Sequence, residues 1–287
     1  MYAITGITGK VGGQVSRFLM QEGQAVRAVV RDARKGVIWQ NLGCDLAVAD
    51  MNDARTLTAA FKGMSGVFIL LPPIFDPSPN FPETRSTIAA IREALNAALP
   101  EKIVCISTIG AQAKQTNLLT QLQLMEQSLG ELPMPITFLR PAWFMENCSW
   151  DVGPARDEGL IRSFLQPLDK PLPMVATADV AQTAAELLQD NCTGRRVVEL
   201  EGPTRVTPNE IAATFASILG HPVQAMAVPR DTWEEIFRSQ GMKYPEPRIQ
   251  MLDGFNQGWI DFEQAEVSRR KGGIGIEQVL KELARGD

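Results

Sequence analysis

Histidine, tyrosine and paired cysteines are scarce in this chain, and each scarcity removes a class of chemistry. There is one histidine, His221, and four cysteines, Cys44, Cys105, Cys148 and Cys192, with no C-x-x-C spacing. A zinc site draws on several His or Cys ligands, so no metal is expected. Scattered thiols fit a reducing compartment better than a disulfide framework. A Ser-His-Asp triad would need His221, but that residue falls between a helix end at Leu219-Gly220 and a strand, where a turn is expected. No run of Lys and Arg stands out, and the net charge is −5, which argues against nucleic acid as an electrostatic partner. No apolar stretch is long enough for a membrane span. The best, Val67 to Leu71, stops at Pro72-Pro73. A strand starting at Tyr2 leaves no room for a signal peptide, so a cytoplasmic location is expected.

What the chain does have is a glycine loop at its start. A β-prone run, Tyr2 to Thr5, meets Gly6, Gly9 and Gly12, and a helical pattern follows through Val11, Val15, Phe18 and Leu19. Strand, glycine turn and helix are the context of a dinucleotide-binding loop, here spaced G-x-x-G-x-x-G. Gly6 lets the chain turn off the strand. Gly9 lets the backbone approach a pyrophosphate. Gly12 lets the helix pack closely. The helix N-terminus offers free N–H groups to the phosphates.

The same alternation continues down the chain. Strands are expected at Ala25–Val30, Asp45–Asp50, Gly66–Leu71, Lys102–Ser107 and Ile136–Leu139. Helices are expected at Ala33–Asn41, Ala54–Lys62, Glu83–Ala98 and Asn117–Leu129. Gly66–Leu71 is continuously apolar, as in a strand buried on both faces. The fold class is therefore α/β, a Rossmann-type doubly wound parallel sheet with ligands at the strand C-termini. Past Arg140-Pro141 the alternation stops and Asn147–Leu172 reads as irregular. Further on, helices are expected at Asp179–Leu188, Glu210–Leu219, Asp231–Gln240, Arg248–Gln257 and Ile276–Ala284, with strands at Arg196–Leu200 and Val223–Val228. The expected division is a dinucleotide-binding domain over residues 1–147 and a smaller α+β lobe over 148–287, some of whose segments return to the main sheet.

Strand ends supply the candidate site. Arg31, at the end of the second strand, stands where the adenosine ribose is expected, and a guanidinium there pairs with a 2′-phosphate, favouring NADP(H) over NAD(H). Asp50 could accept from the adenine amino group while Met51 packs on the ring. Leu71 and Pro72 end the fourth strand near the pyrophosphate and nicotinamide ribose. Ser107 and Thr108 end the fifth near the nicotinamide. For Asp50, Met51, Leu71, Pro72, Ser107 and Thr108 the alternative is an ordinary strand end; for Arg31 it is a solvated helix start, which suits Arg34 and Lys35 better.

Thr5–Gly12, Val30-Arg31, Ala49-Asp50, Ser107-Thr108, Thr137–Asn147 and Thr177–Ala181, in that order, make the chain resemble the NmrA-like branch of the atypical short-chain dehydrogenase/reductases. Within it the likeness is to the NAD(P)H:quinone oxidoreductase type 2 and triphenylmethane or azo-dye reductase group. The resemblance implies that Thr8, Gly9, Lys10 and Val11 hold the pyrophosphate and Arg31 the 2′-phosphate. It places Pro141 to Phe144 at the nicotinamide end and Asn147 at a substrate cleft closed by the C-terminal lobe.

One departure from the wider family matters. A Tyr-x-x-x-Lys pair usually protonates the substrate oxygen. Here the only tyrosines are Tyr2, in the first strand, and Tyr244, with Arg248 rather than lysine four residues on. Counted back from the Thr-x-x-Arg strand, the helix positions of the pair hold Leu122 and Glu126. Two readings follow. In one, the protein passes hydride to quinones, azo compounds or similar electron-poor aromatics, which stack among Trp143, Phe144, Asn147 and Trp150; protons come from water or a weak donor such as Ser107 or Thr108. In the other, it is a non-catalytic NADP(H)-binding redox sensor acting through a protein partner. A homodimer paired through helices fits either reading.

Overall fold

The computed structural model describes residues 1–263 and 268–286. Strand β1 (Tyr2–Ile4) runs through the glycine turn into α1 (Lys10–Gln21). There follow β2 (Val26–Val30), α2 (Ala33–Asn41), β3 (Asp45–Val48), α3 (Ala54–Phe61), β4 (Gly66–Ile69), α4 (Pro82–Ala98), β5 (Ile103–Ile106), α5 (Thr120–Leu129) and β6 (Ile136–Pro141). Next come β7 (Trp143–Phe144), a 3₁₀ helix (Met145–Trp150), α6 (Val152–Glu158), β8 (Leu160–Ser163), β9 (Met174–Val175), α7 (Thr177–Gln189) and β10 (Arg195–Glu201). The chain closes with α8 (Pro208–Leu219), β11 (Gln224–Ala227), α9 (Trp233–Ser239), α10 (Glu246–Gln257), β12 (Ser268–Lys271) and α11 (Ile276–Arg285).

Eight strands form one sheet in the order β12-β10-β6-β5-β4-β1-β2-β3, with every pair parallel. The order reverses between β1 and β4, so a crevice opens at their C-terminal ends, the general ligand position of open parallel sheets. Strand side chains alternate between two cores. Ile4, Phe68, Val104, Leu139 and Val198 face one way, with α1 and α7. Ala3, Val67, Ile69, Ile103, Cys105 and Phe138 face the other, with α3, α4 and α5. Both faces are covered, which is why these strands read as unbroken apolar runs. In α1, Val11, Val15 and Leu19 lie on one stripe and are buried. Full burial of Val15 and Leu19 contributes about 1.5–3 kcal/mol each.

A third cluster, with Met145, Ile161, Met174, Phe215, Val223 and Leu280, is the core under the later segments. Two of those segments leave it for the main sheet: β10 pairs with β6, and β12 pairs with β10. Among the described residues, no helix is long and apolar enough to cross a membrane.

Several sequence expectations are corrected. The stretch expected to be irregular, Asn147–Leu172, holds the end of the 3₁₀ helix, α6 and β8. β8 pairs only with β11, and both are partly exposed, so neither carries the apolar run of a central strand. The third strand stops at Val48, because the Asp50 carboxylate accepts from the Asn52 N–H and closes a turn. Helix α5 starts at Thr120, not Asn117. The Asn117 side chain accepts from the Leu119 N–H in the same kind of turn. β12 is wholly polar (Ser-Arg-Arg-Lys) and carries no hydrophobic period to announce it.

Candidate functional site

The sequence candidates after β1 to β6 all lie at one edge, since the strands are parallel. Gly6 turns off β1 with φ of +63°, a conformation that favours glycine. The Gly9 N–H donates to the Gly6 carbonyl at 2.9 Å and closes the loop. Gly9 is then the N-cap of α1. Thr5 locks this turn to its neighbour strand: its hydroxyl donates to the Phe68 carbonyl and accepts from the Leu70 N–H, both at 3.0 Å.

Gly12 is where the loop and helix press together. A Cβ there would lie 2.5 Å from the Gly6 oxygen and 2.9 Å from the Thr5 oxygen, and both are backbone atoms. The first helical bond runs from Gly13 to the Gly9 carbonyl, so the amides of Lys10, Val11 and Gly12 precede it. No side chain caps this end and its first turn carries no acid. Asp32 and Asp53, by contrast, cap α2 and α3. Thr8, Gly9 and Lys10 are exposed beside it. The arrangement fits a dinucleotide pyrophosphate: uncovered donors, a positive helix end and no Cβ in the way.

Arg31 follows β2 and is exposed, with no carboxylate partner among the described residues, while Arg34 is held by Asp32 at 2.7 Å. Asp50 is exposed, and one of its oxygens is used in the turn on Asn52. Met51 and Leu71 are buried within the second core, whereas Pro72 is exposed. Pro141 is buried. Trp143 and Phe144 are half-buried, and Trp143 packs edge-on against Phe255 with centroids 5.2 Å apart. Asn147 and Trp150 are exposed. His221 lies in the turn after α8.

The α5 positions are decided by an ion pair. Leu122 is half-buried and packs against the second core. Glu126 is buried and accepts two hydrogen bonds from Arg140 of β6, at 2.8 and 2.7 Å, in a forked geometry. Ser107 donates its hydroxyl proton to the same Glu126 at 2.5 Å. Thr108 donates to the Ile109 carbonyl. Arg140 also donates to Glu263. Burial alone would lower the Arg140 pKa; Glu126 and Glu263 outweigh it and hold the guanidinium above its ordinary value. Across the sheet Arg140 sits beside Glu199, and Glu199 beside Arg269, so charge alternates along three strands. Burial comes first in raising the Glu199 pKa. Sequence reasoning found the Glu126 position but not its bonds to Arg140 and Ser107, nor the further hold of Glu263 on Arg140, because the spacing of these residues along the chain does not say that they meet.

The later family motifs serve as stitches. Glu146 accepts from the Thr177 N–H and hydroxyl at 2.8 and 2.6 Å, fixing the start of α7 behind Trp143-Phe144. Asp179 accepts from the Gly273 and Ile274 amides and ties the segment after β12 to α7.

The chain is similar to several known proteins. The NAD(P)H azoreductase of Xenophilus azovorans is 26% identical over 243 residues, covering 84% of this chain and 82% of that protein. Quinone oxidoreductase 2 of Escherichia coli strain K12 is 25% identical over 276 residues, covering 96% and 90%. The structure of the triphenylmethane reductase of Citrobacter sp. superposes with a TM-score of 0.78 at 20% identity, covering 99% of each chain. The NmrA-like family profile matches residues 2–273, and the chain belongs to the NmrA-like family.

Proposed function

We propose that this chain is an NADP(H)-dependent reductase that delivers hydride to a quinone, azo or similar electron-poor aromatic acceptor. The observation that carries the reading is the start of α1, where uncapped amides stand behind a glycine turn too tight for a Cβ at Gly12. The names of the azoreductase and quinone oxidoreductase relatives support the acceptor class.

When bound there, the dinucleotide supplies the hydride. The chain's own part is positional. The amides of Lys10, Val11 and Gly12 hold the pyrophosphate. Arg31, free of any carboxylate among the described residues, pairs with the 2′-phosphate and sets the preference for NADP(H). Trp143 and Phe144, braced by Phe255 and by the Glu146–Thr177 bonds, give the nicotinamide end an apolar wall.

Proton supply separates this site from an alcohol dehydrogenase. Leu122 has no proton to give. Glu126 is pinned by Arg140, and the Ser107 proton is spent on Glu126. The acceptor therefore takes its proton from water or from the weak donor Thr108, which suits a quinone or azo group because neither needs a strong acid at the hydride step. The test is a screen of purified protein with NADPH against menadione, a benzoquinone and an azo dye, following loss of nicotinamide absorbance. Turnover with at least one acceptor is expected. NADPH binding with no turnover on any of them would refute the reading and leave the redox-sensor alternative.

A further inference from the structure

Among the described residues, Arg248 is a cation without an anion. Its one polar contact among them is from Nη1 to the Met242 sulfur at 3.8 Å. Glu246, the nearest acid in sequence, accepts from Gln250 instead. Arg140, Arg205 and Arg230 each face a carboxylate that raises the guanidinium pKa, whereas burial alone lowers that of Arg248. A half-buried guanidinium with no counter-charge is costly, and an anion brought by a ligand would offset that cost.

Its position is the candidate site. Arg248, Leu252 and Phe255 fall four and seven residues apart on α10 and so share one face. Phe255 packs against Trp143, and the Arg248 guanidinium stands 5.9 Å over the ring of Trp150 and 4.4 Å over that of Phe237. One stripe of α10 thus runs beside residues 143–150. The approach to α10 is pinned by the connections after β4 and β5. The Asp76 carboxylate accepts from the Lys243 and Tyr244 amides at 2.8 and 2.7 Å, and the Pro247 carbonyl accepts from the Leu118 N–H at 2.8 Å. Three large aromatics stand exposed in these same segments: Trp150 at 74%, Phe75 at 62% and Tyr244 at 40%.

We propose that Arg248 and Trp150 form a recognition site for acceptors that join a flat aromatic ring to an anionic group (sulfonate, carboxylate or phosphate). The ring lies on Trp150 and the anion takes the forked N–H groups of Arg248. The proposal rests on the reductase reading above for the word acceptor, while the site itself is tested by binding alone.

The experiment titrates naphthalene-2-sulfonate and neutral 2-naphthol by calorimetry into NADP⁺-loaded wild type, Arg248→Met and Arg248→Lys. Wild type is expected to bind the sulfonate at least about tenfold more tightly, the scale of one charge-assisted hydrogen bond. Arg248→Met should abolish that difference with 2-naphthol within about twofold of wild type, and Arg248→Lys should keep part of it. Equal affinities in wild type, or equal loss of both ligands in Arg248→Met, overturns the proposal and leaves Arg248 a packing residue on Phe237. If the Met variant does not fold, Arg248→Gln supplies the same comparison. In turnover, Arg248→Met should raise KM for a sulfonated naphthoquinone much more than KM for menadione. Discrimination in binding with neither quinone reduced would sink the reductase reading and keep the site.

Discussion

Replacing Gly12 by alanine separates the two duties of the glycine loop. The new Cβ would meet the Gly6 oxygen at 2.5 Å, the Gly6 carbonyl carbon at 2.7 Å and the Thr5 oxygen at 2.9 Å. All three are backbone atoms. Thr5 is bonded to β4 and Gly6 holds a positive φ, so neither can step aside cheaply. The start of α1 must move instead. Overpacking of this kind costs about 1–3 kcal/mol, which lowers Tm by roughly 2–5 °C in a chain of this length. Displaced amides also lose alignment with the pyrophosphate, and one charge-assisted bond lost is about a tenfold rise in the NADPH Kd. Gly9→Ala is the control. Its Cβ would meet only the Gly6 oxygen, at 3.3 Å, a tight contact but a far looser one than at Gly12, and its φ is −96°. Tm should therefore fall clearly less than in Gly12→Ala, because the contact is looser and no strained backbone is needed. NADPH binding should still weaken, since the methyl stands on the approach to the helix amides. Differential scanning fluorimetry without ligand and fluorescence titration of NADPH read the two effects. An unchanged Tm in Gly12→Ala would refute the packing argument, and wild-type NADPH affinity in Gly9→Ala would refute the placement of the pyrophosphate.

Three further outcomes are expected. Arg31→Ala should weaken NADPH about tenfold or more and NADH little, by loss of a charge-assisted contact; equal loss for both would remove the 2′-phosphate assignment. Arg140→Met leaves Glu126 and Glu263 without their shared cation and should cost about 3–5 kcal/mol in urea unfolding, whereas a shift below about 1 kcal/mol would mean the pair is not buried as described. Asp151 has its pKa raised by burial to about 6. Its folded state holds the proton more tightly than the unfolded state, so stability falls as pH rises from about 4 to about 6. Asp151→Asn should remove that slope and stabilise the protein at pH 7 by about 1–3 kcal/mol. Parallel Tm-against-pH curves for the two proteins would count against it.

The central strands of the sheet and the place of the glycine loop were legible in the sequence. Gly6, Gly9 and Gly12 between a β-prone run and an amphipathic helix are local signals, and a parallel sheet buried on both faces writes its strands as apolar runs such as Gly66–Ile69. Short-range chemistry of that kind survives in a linear reading. Tertiary structure decided the rest, because it depends on which distant charges meet. The Glu126 position was legible, but its capture by Arg140, which Glu263 also holds, comes from α5, β6 and Glu263 converging in space. Conversely, Met51 and Leu71 end strands as candidate ligand contacts do, yet both side chains turn into the core. The polar strand β12 was invisible because it is stabilised by pairing with β10 and not by burying apolar side chains. Arg248 shows the same limit from the other side: its residue type is plain in the sequence, but its want of a carboxylate among the described residues is a fact of packing.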